Sequence, residues 1–319
     1  MKRVDVLVDC VGDAEAMLQA TAIPDLAISI LPNAVDLEIG ELHKAIAGAS
    51  GVITSLATRV DDAFLDAAGP SLEVVSNYAV GYDNICVEAC LKRNVIVCNG
   101  PPPMTEPTAD IAWLLLLGAA RRARESMDLA TSGEWQGYHP TLLLGHKLVG
   151  GTLLVVGAGR IGSAVMRRAA GWNMKVLYTA RTEKSHLDGE FVSLADGLAR
   201  ADAVVVCVAL TPETRHMFGA HEFASMQPHA VFVNVSRGPV VDEGSLAEAI
   251  ERSEIFAAGL DVFENEPLIH PKLLKNQRVM LLPHVGSATI EDRTELTQVA
   301  VENVAAVLRG QQPPFAILE

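Results

Sequence analysis

Residues Thr152-Leu-Leu-Val-Val-Gly-Ala-Gly-Arg-Ile-Gly162 decide the fold. Four apolar residues of strand character run directly into glycines spaced G-x-G-x-x-G, and the helix-forming stretch Ser163–Gly171 follows. In a strand–turn–helix context this spacing is a dinucleotide-binding fingerprint. Gly157 permits the tight turn, Gly159 lets the backbone approach a pyrophosphate, and Gly162 lets helix and strand pack closely. The first helical amides, at Arg160 and Ile161, then face the phosphates. The next apolar run, Lys175–Thr179, is the second strand of the unit.

On either side, short β-branched runs alternate with longer helical stretches, the signature of βαβ units and parallel sheets. Upstream runs are Val4–Val8, Leu26–Ile30, Gly51–Thr54, Leu72–Ser76 and Val95–Cys98. Downstream are Ala203–Val208, Ala230–Val235, Ile255–Leu260 and Arg278–Leu281, nearly all apolar, as strands covered on both faces are. A single Leu- and Ala-rich helix is predicted over 105–131, after Pro101-Pro102-Pro103. Residues 133–151 read as an exposed arm carrying Trp135 and Tyr138, and Ser287 as the N-cap of a last helix over 288–308. The predicted fold is α/β, two Rossmann-like domains with parallel sheets. A dinucleotide-binding domain over 99–287 is inserted into a substrate domain made of 1–98 and 288–319.

The chain has 319 residues, 50% of them hydrophobic, enough for two full cores and against disorder. A net charge of −14 disfavours a nucleic-acid surface, which needs clustered cations. The longest apolar runs, 111–120 and 203–210, fall short of the roughly 20 residues of a membrane span. The N-terminus has no signal pattern, and Phe315-Ala-Ile-Leu-Glu319 carries no lipidation or retention signal. Five cysteines, an odd number without zinc spacing, predict reduced, buried thiols, no metal and a cytoplasmic location.

Open parallel sheets bind ligands beyond the carboxyl ends of their strands. Three such ends carry polar groups: Ser236-Arg237-Gly238, Asp261 with Glu264 and Glu266, and Pro283-His284-Val285-Gly286-Ser287. An Arg grips a carboxylate with two parallel bonds. A His hands over a proton as hydride arrives, and a carboxylate orients that His and favours its charged form. Arg237, Glu266 and His284 are therefore the candidate catalytic residues for reducing a ketone beside a carboxylate. The other eight histidines, His216 and His270 among them, read as structural or surface groups. Cofactor choice shows after Lys175–Thr179. NAD-binding units place Asp or Glu there for the ribose hydroxyl, but this chain has Ala180, then Arg181, Thr182 and Lys184. That set suits a 2′-phosphate, so NADPH/NADP is expected over NADH/NAD.

Taken together, Asn77-Tyr-Ala-Val-Gly-Tyr-Asp-Asn84, Thr108-Ala-Asp110, Gly157–Gly162, Asn234-Val-Ser-Arg-Gly-Pro239, Gly259-Leu-Asp-Val-Phe-Glu-Asn-Glu-Pro267 and Pro283–Ser287 resemble the D-isomer-specific 2-hydroxyacid dehydrogenases over about residues 50–310. The glyoxylate/hydroxypyruvate reductase branch is the nearest likeness. The resemblance implies that Arg237 binds substrate carboxyl and carbonyl, that His284 is the general acid, and that Glu266 pairs with it. It implies that backbone at Ala79, Val80 and Gly81 holds the carboxylate. Thr108, Ser236, Asp261, His284 and Gly286 would border the nicotinamide, and Val208 and Ala209 the adenine side. A small 2-oxo acid substrate and a homodimer are implied, the pairing being suggested also by the apolar 111–120 segment and the aromatic arm. The alternatives are a reductase of larger 2-oxo acids, such as 2-ketogluconate, and a dinucleotide-sensing, corepressor-like binding protein.

Overall fold

The computed structural model describes residues 1–31 and 34–317; the expected C-terminal segment is therefore seen only to Ile317. The chain divides into two compact units, Met1–Met104 with Ser287–Glu319, and Thr105–Gly286. The first boundary lies six residues beyond the expected 98/99. Residues 99–104 stay with the first unit because the Gly100 amide donates to Ala79 O at 2.9 Å and Met104 is buried in that unit's core. The second boundary moves from 287/288 to 286/287.

In the first unit, strands β1 (Lys2–Val6), β2 (Leu26–Ile30), β3 (Gly51–Thr54), β4 (Val74–Asn77) and β5 (Ile96–Cys98) pair in parallel in the order 5-4-3-1-2. A short strand, Ala316–Ile317, adds antiparallel to β5. Successive side chains point to opposite faces. Val4, Val6, Ile53 and Val74 therefore pack under the helix Ile290–Leu308, against Leu296, Ala300 and Val304. Val52, Val75 and Val97 meet Ile46, Phe64 and Leu65 on the other face. The Tyr78 hydroxyl donates to Arg293 O at 2.7 Å, fixing the end of β4 to the C-terminal helix.

In the second unit, strands β6 (Thr152–Val156), β7 (Lys175–Thr179), β8 (Glu190–Phe191), β9 (Ala203–Val206), β10 (Val231–Asn234), β11 (Ala257–Leu260) and β12 (Val279–Leu281) are all parallel, in the order 12-11-10-9-6-7-8. The order reverses between β6 and β9, which puts the ligand crevice of a doubly wound sheet at their carboxyl ends. Leu154, Val204 and Phe232 face one apolar layer, Leu153, Val205 and Val233 the other.

Three local expectations change. The helix expected over 105–131 is two, Thr105–Ala120 and Ala123–Ser132. The His146 amide takes the Ala120 carbonyl at 2.9 Å, which ends the helical ladder, and Arg122 turns left-handed (φ 54°) to bond Glu125. The last helix is capped by Thr289, which accepts the Asp292 amide at 3.0 Å, and not by Ser287. Of the thiols, Cys90 and Cys98 are buried, and burial pushes them up to about 11 and about 12, but Cys86 is exposed.

Candidate active site

The glycine loop lies at the switch point. Gly157 has φ +98°, a conformation that side chains rarely adopt, and a Cβ there would stand 2.8 Å from the Cys207 carbonyl carbon at the end of β9. A Cβ on Gly162 would lie 2.1 Å from Gly157 O, so the helix Arg160–Ala169 packs against the turn only with glycine. At Gly159 a Cβ meets nothing within 4 Å, and no side chain caps the helix start. Uncapped first-turn amides facing open space form a cradle for an anion. These residues fit the pyrophosphate of a dinucleotide. The helix is held in place at Trp113, whose indole donates to Val165 O at 3.1 Å, and by Arg168 paired with Glu106 and Asp110. Val208 and Ala209 lie two and three residues past the end of β9; Ala209 is exposed, and its carbonyl accepts the Thr214 hydroxyl at 2.7 Å. Beyond β7, Arg181 and Thr182 are exposed. The Tyr178 hydroxyl accepts the Lys184 amide at 2.9 Å and donates to its carbonyl at 3.2 Å, which pins this turn to the end of the strand.

The three polar strand ends also meet. His284 Nδ1 and Glu266 Oε2 are 2.8 Å apart, and Glu266 Oε1 accepts the Phe263 amide at 3.0 Å. Burial pushes the Glu266 carboxyl up. The His284 bond, the Phe263 amide and the positive charges of His284 and Arg237 outweigh burial and hold it below its ordinary 4.5. Its folded value is depressed, so the stability it contributes is present above that ordinary value and lost as pH falls through the lower, folded one. His284 has φ +53°. Its turn is fixed by Asp261, whose backbone carbonyl accepts the His284 amide at 2.8 Å and whose carboxylate accepts the Val285 and Gly286 amides at 2.8 and 2.7 Å. Burial pushes the Asp261 carboxyl up, against those two amides and the His284 charge. Thr108 and Ser236 are buried.

Several supports were not singled out from sequence. Buried Asn234 accepts the Ser236 amide and hydroxyl at 3.0 and 2.6 Å and donates to Arg237 O at 3.0 Å, shaping the turn that presents the guanidinium. Gly238 packs against the backbone of Phe263 and Glu264. His216, read as structural, bonds Glu264 at 2.6 Å, two residues from Glu266. Asn234 and Gly238 lie inside the Asn234–Pro239 motif, so a signal existed for them. His216 carries none, because its partner is 48 residues away.

In the first unit, the carbonyls of Ala79, Val80 and Gly81 accept from the Gly100 amide and from the side-chain amides of Asn99 and Asn77, at 2.9, 2.7 and 2.8 Å. The amides of Val80 and Gly81 have no partner among the described residues.

Residues 113–286 match the model of the D-isomer specific 2-hydroxyacid dehydrogenase NAD binding domain. A glyoxylate reductase of Thermococcus gammatolerans is 40% identical over 313 residues, 93% of each chain. The crystal structure of a Thermus thermophilus protein superposes with a TM-score of 0.92 at 38% identity, covering 99% of this chain and 100% of that one. An NADPH-dependent glyoxylate/hydroxypyruvate reductase from Sinorhizobium meliloti, in complex with NADP and malonate, gives a TM-score of 0.86 at 30% identity, with 99% and 97% covered. The glycine cradle, the parallel strand order and the matched model place this oxidoreductase chain in one group: it belongs to the D-isomer-specific 2-hydroxyacid dehydrogenases.

Proposed function

We propose that this chain reduces short 2-oxo acids, glyoxylate and hydroxypyruvate first, with NADPH as the preferred reductant. The observation that carries the reading is the 2.8 Å His284–Glu266 pair, standing at the same strand-end edge of the second unit as Arg237 and the open glycine loop. The glyoxylate reductase from Thermococcus and the glyoxylate/hydroxypyruvate reductase from Sinorhizobium support the substrate class. They do not favour the corepressor-like alternative. Bound reduced nicotinamide supplies hydride to the carbonyl carbon. His284, with Nδ1 engaged by Glu266, presents Nε2 to protonate the carbonyl oxygen. Arg237 is assigned to the substrate carboxylate and carbonyl. In the first unit, backbone at Ala79, Val80 and Gly81 is assigned to binding a substrate carboxylate. Thr108, Ser236, Asp261 and Gly286 are assigned to the border of the nicotinamide, Gly157–Gly162 to the pyrophosphate, and Val208 and Ala209 to the adenine side.

Arg181, Thr182 and Lys184 are assigned to the 2′-phosphate. A hydrogen bond to a charged group is worth about 1.5–3 kcal/mol, or about 10–100-fold in affinity. Oxidation of NADPH and of NADH with glyoxylate tests both halves of the proposal. kcat/KM is expected to favour NADPH by about tenfold or more, and Arg181→Ala to erase most of that by raising KM for NADPH alone. No turnover of any short 2-oxo acid would refute the substrate reading. Equal efficiency with both cofactors would refute the preference.

Among the described residues no helix is long and apolar enough to cross a membrane. The five free thiols support a cytoplasmic placement. Leu114, Met127, Trp135, Tyr138 and Leu144 are exposed on the second unit, Trp135 at 60% and Tyr138 at 89%. Exposed apolar groups of this size mark interfaces, and two-fold pairing is the commonest solution. Light scattering is expected to give twice the chain mass of 34.0 kDa; a single-chain mass at micromolar concentration would end the homodimer assignment.

A further inference from the structure

We infer that Glu243 is a positioning residue for the proton-donating pair, because its buried carboxylate staples both ends of the loop that carries Glu266. The inference rests on the reading of His284 and Glu266 given above. Glu243 opens the helix Glu243–Glu251, behind the N-cap Asp242, and only 5% of its surface is exposed. A carboxylate at a helix N-terminus sits at the favourable end of the dipole. Its two oxygens turn away from that helix to the loop after β11: Oε1 accepts the Glu264 amide at 2.7 Å and Oε2 the His270 amide at 3.2 Å. Glu266 lies between these two points.

The same loop has two further ties. Leu268 donates its amide to Asn265 O at 2.9 Å, and Glu264 Oε1 bonds His216 at 2.6 Å. Of these, the Glu243 carboxylate alone joins residue 264 to residue 270 through one rigid group. Phe263, next to the stapled Glu264, supplies the amide that fixes Glu266 Oε1. A shift of the loop therefore reaches the 2.8 Å contact with His284 directly. The charged groups around that contact are Arg237, Asp261, Glu264 and His216, and a change at Glu243 leaves the side chain of each chemically as it was.

Glutamine cannot replace the staple. Its oxygen can accept one amide, but its NH2 group would face the other donor to donor, in a buried place. Glu243→Gln is expected to lower kcat by about 10–100-fold, as small misplacements of catalytic groups do. A loss of kcat alone would also follow from a merely structural role, so the deciding readout is the pH profile with glyoxylate. Removing an opposite charge lets a neighbouring cation lose its proton earlier. Glu266→Gln is therefore expected to move the alkaline limb about one pH unit lower, and Glu243→Gln to move it the same way by a smaller step, with NADPH affinity unchanged in both. If Glu243→Gln does not fold, Glu243→Asp, whose shorter side chain cannot span both amides, is read the same way. Movement of the limb in Glu266→Gln but not in the Glu243 variants would overturn the positioning role alone. No movement in Glu266→Gln would overturn the pair itself, and the inference with it.

Discussion

His284→Asn is expected to lower kcat for glyoxylate reduction by about 10²–10⁴-fold, the range that a positioned general acid supplies. The reason is local. The ring is oriented by Glu266 at 2.8 Å through Nδ1, and its backbone is held by Asp261 at three amides, His284, Val285 and Gly286. An asparagine in that turn keeps every backbone bond, and its amide can still donate to Glu266. It tolerates the left-handed φ of +53° at least as well as histidine does. What it cannot do is release a proton to an oxygen that is gaining charge. The fold and NADPH affinity are therefore expected to stay at wild-type values while turnover collapses, and kcat/KM to fall with kcat, the mark of an interaction made in the transition state. Stopped-flow turnover beside a fluorescence titration of NADPH separates the two. A variant that kept a tenth or more of wild-type kcat would take the general-acid role away from His284.

What the sequence displays and what it conceals divide along a physical line. The second sheet was legible because its central strands are buried on both faces and so read as apolar runs, Ala203–Val206 and residues 231–233 among them. The glycine loop was legible because each of its glycines answers a steric demand that no other residue meets, at Gly157 against Cys207 and at Gly162 against Gly157. Arg237 and His284 stand just past strand ends, where a parallel sheet puts its ligands, while the third end offered Asp261, Glu264 and Glu266, of which the family resemblance picked Glu266. Their supports act through partners far along the chain. Glu243 reaches residues 21 and 27 positions on, and nothing in its own neighbourhood sets it apart from any acidic residue in a first helical turn. Asp261 was assigned to the nicotinamide border, and its bonds to the Val285 and Gly286 amides appear only in the fold. The helix break at Arg122 had no proline to announce it; the competing amide comes from His146, across the exposed arm. Ser287 and Thr289 are both acceptable caps by type, and only the Asp292 amide chooses between them. The strand Ala316–Ile317 has two residues, too few for any period to show.

Gly238→Ala is expected to be the most damaging small substitution in the site, for stability and activity together. A Cβ built on Gly238 falls 1.8 Å from the Phe263 carbonyl carbon, 1.9 Å from its oxygen and 2.4 Å from the Glu264 nitrogen. All three are backbone atoms, so no side chain can rotate out of the way, and one of the two loops must move. Neither is free to do so. The Arg237 turn is held by Asn234, which bonds both Ser236 and Arg237 O. The opposing loop is held by Glu243 at Glu264 and by Glu266 at Phe263. Overpacking a tight core site costs about 1–3 kcal/mol, and the upper end applies where the clash is backbone on backbone. For a unit of this size about 3 kcal/mol lowers Tm by about 6–12 °C. The same displacement separates Arg237 from Glu266, whose carboxyl its charge helps to keep ionised. KM for glyoxylate should therefore rise together with a fall in kcat, unlike His284→Asn, which touches turnover alone. Gly159→Ala supplies the contrast, since a Cβ there meets nothing within 4 Å: its Tm should stay near the wild-type value while NADPH affinity falls. Calorimetry on the two variants decides the matter, and a Gly238→Ala protein that melted with the wild type would mean that the two loops do not meet as closely as Gly238 requires.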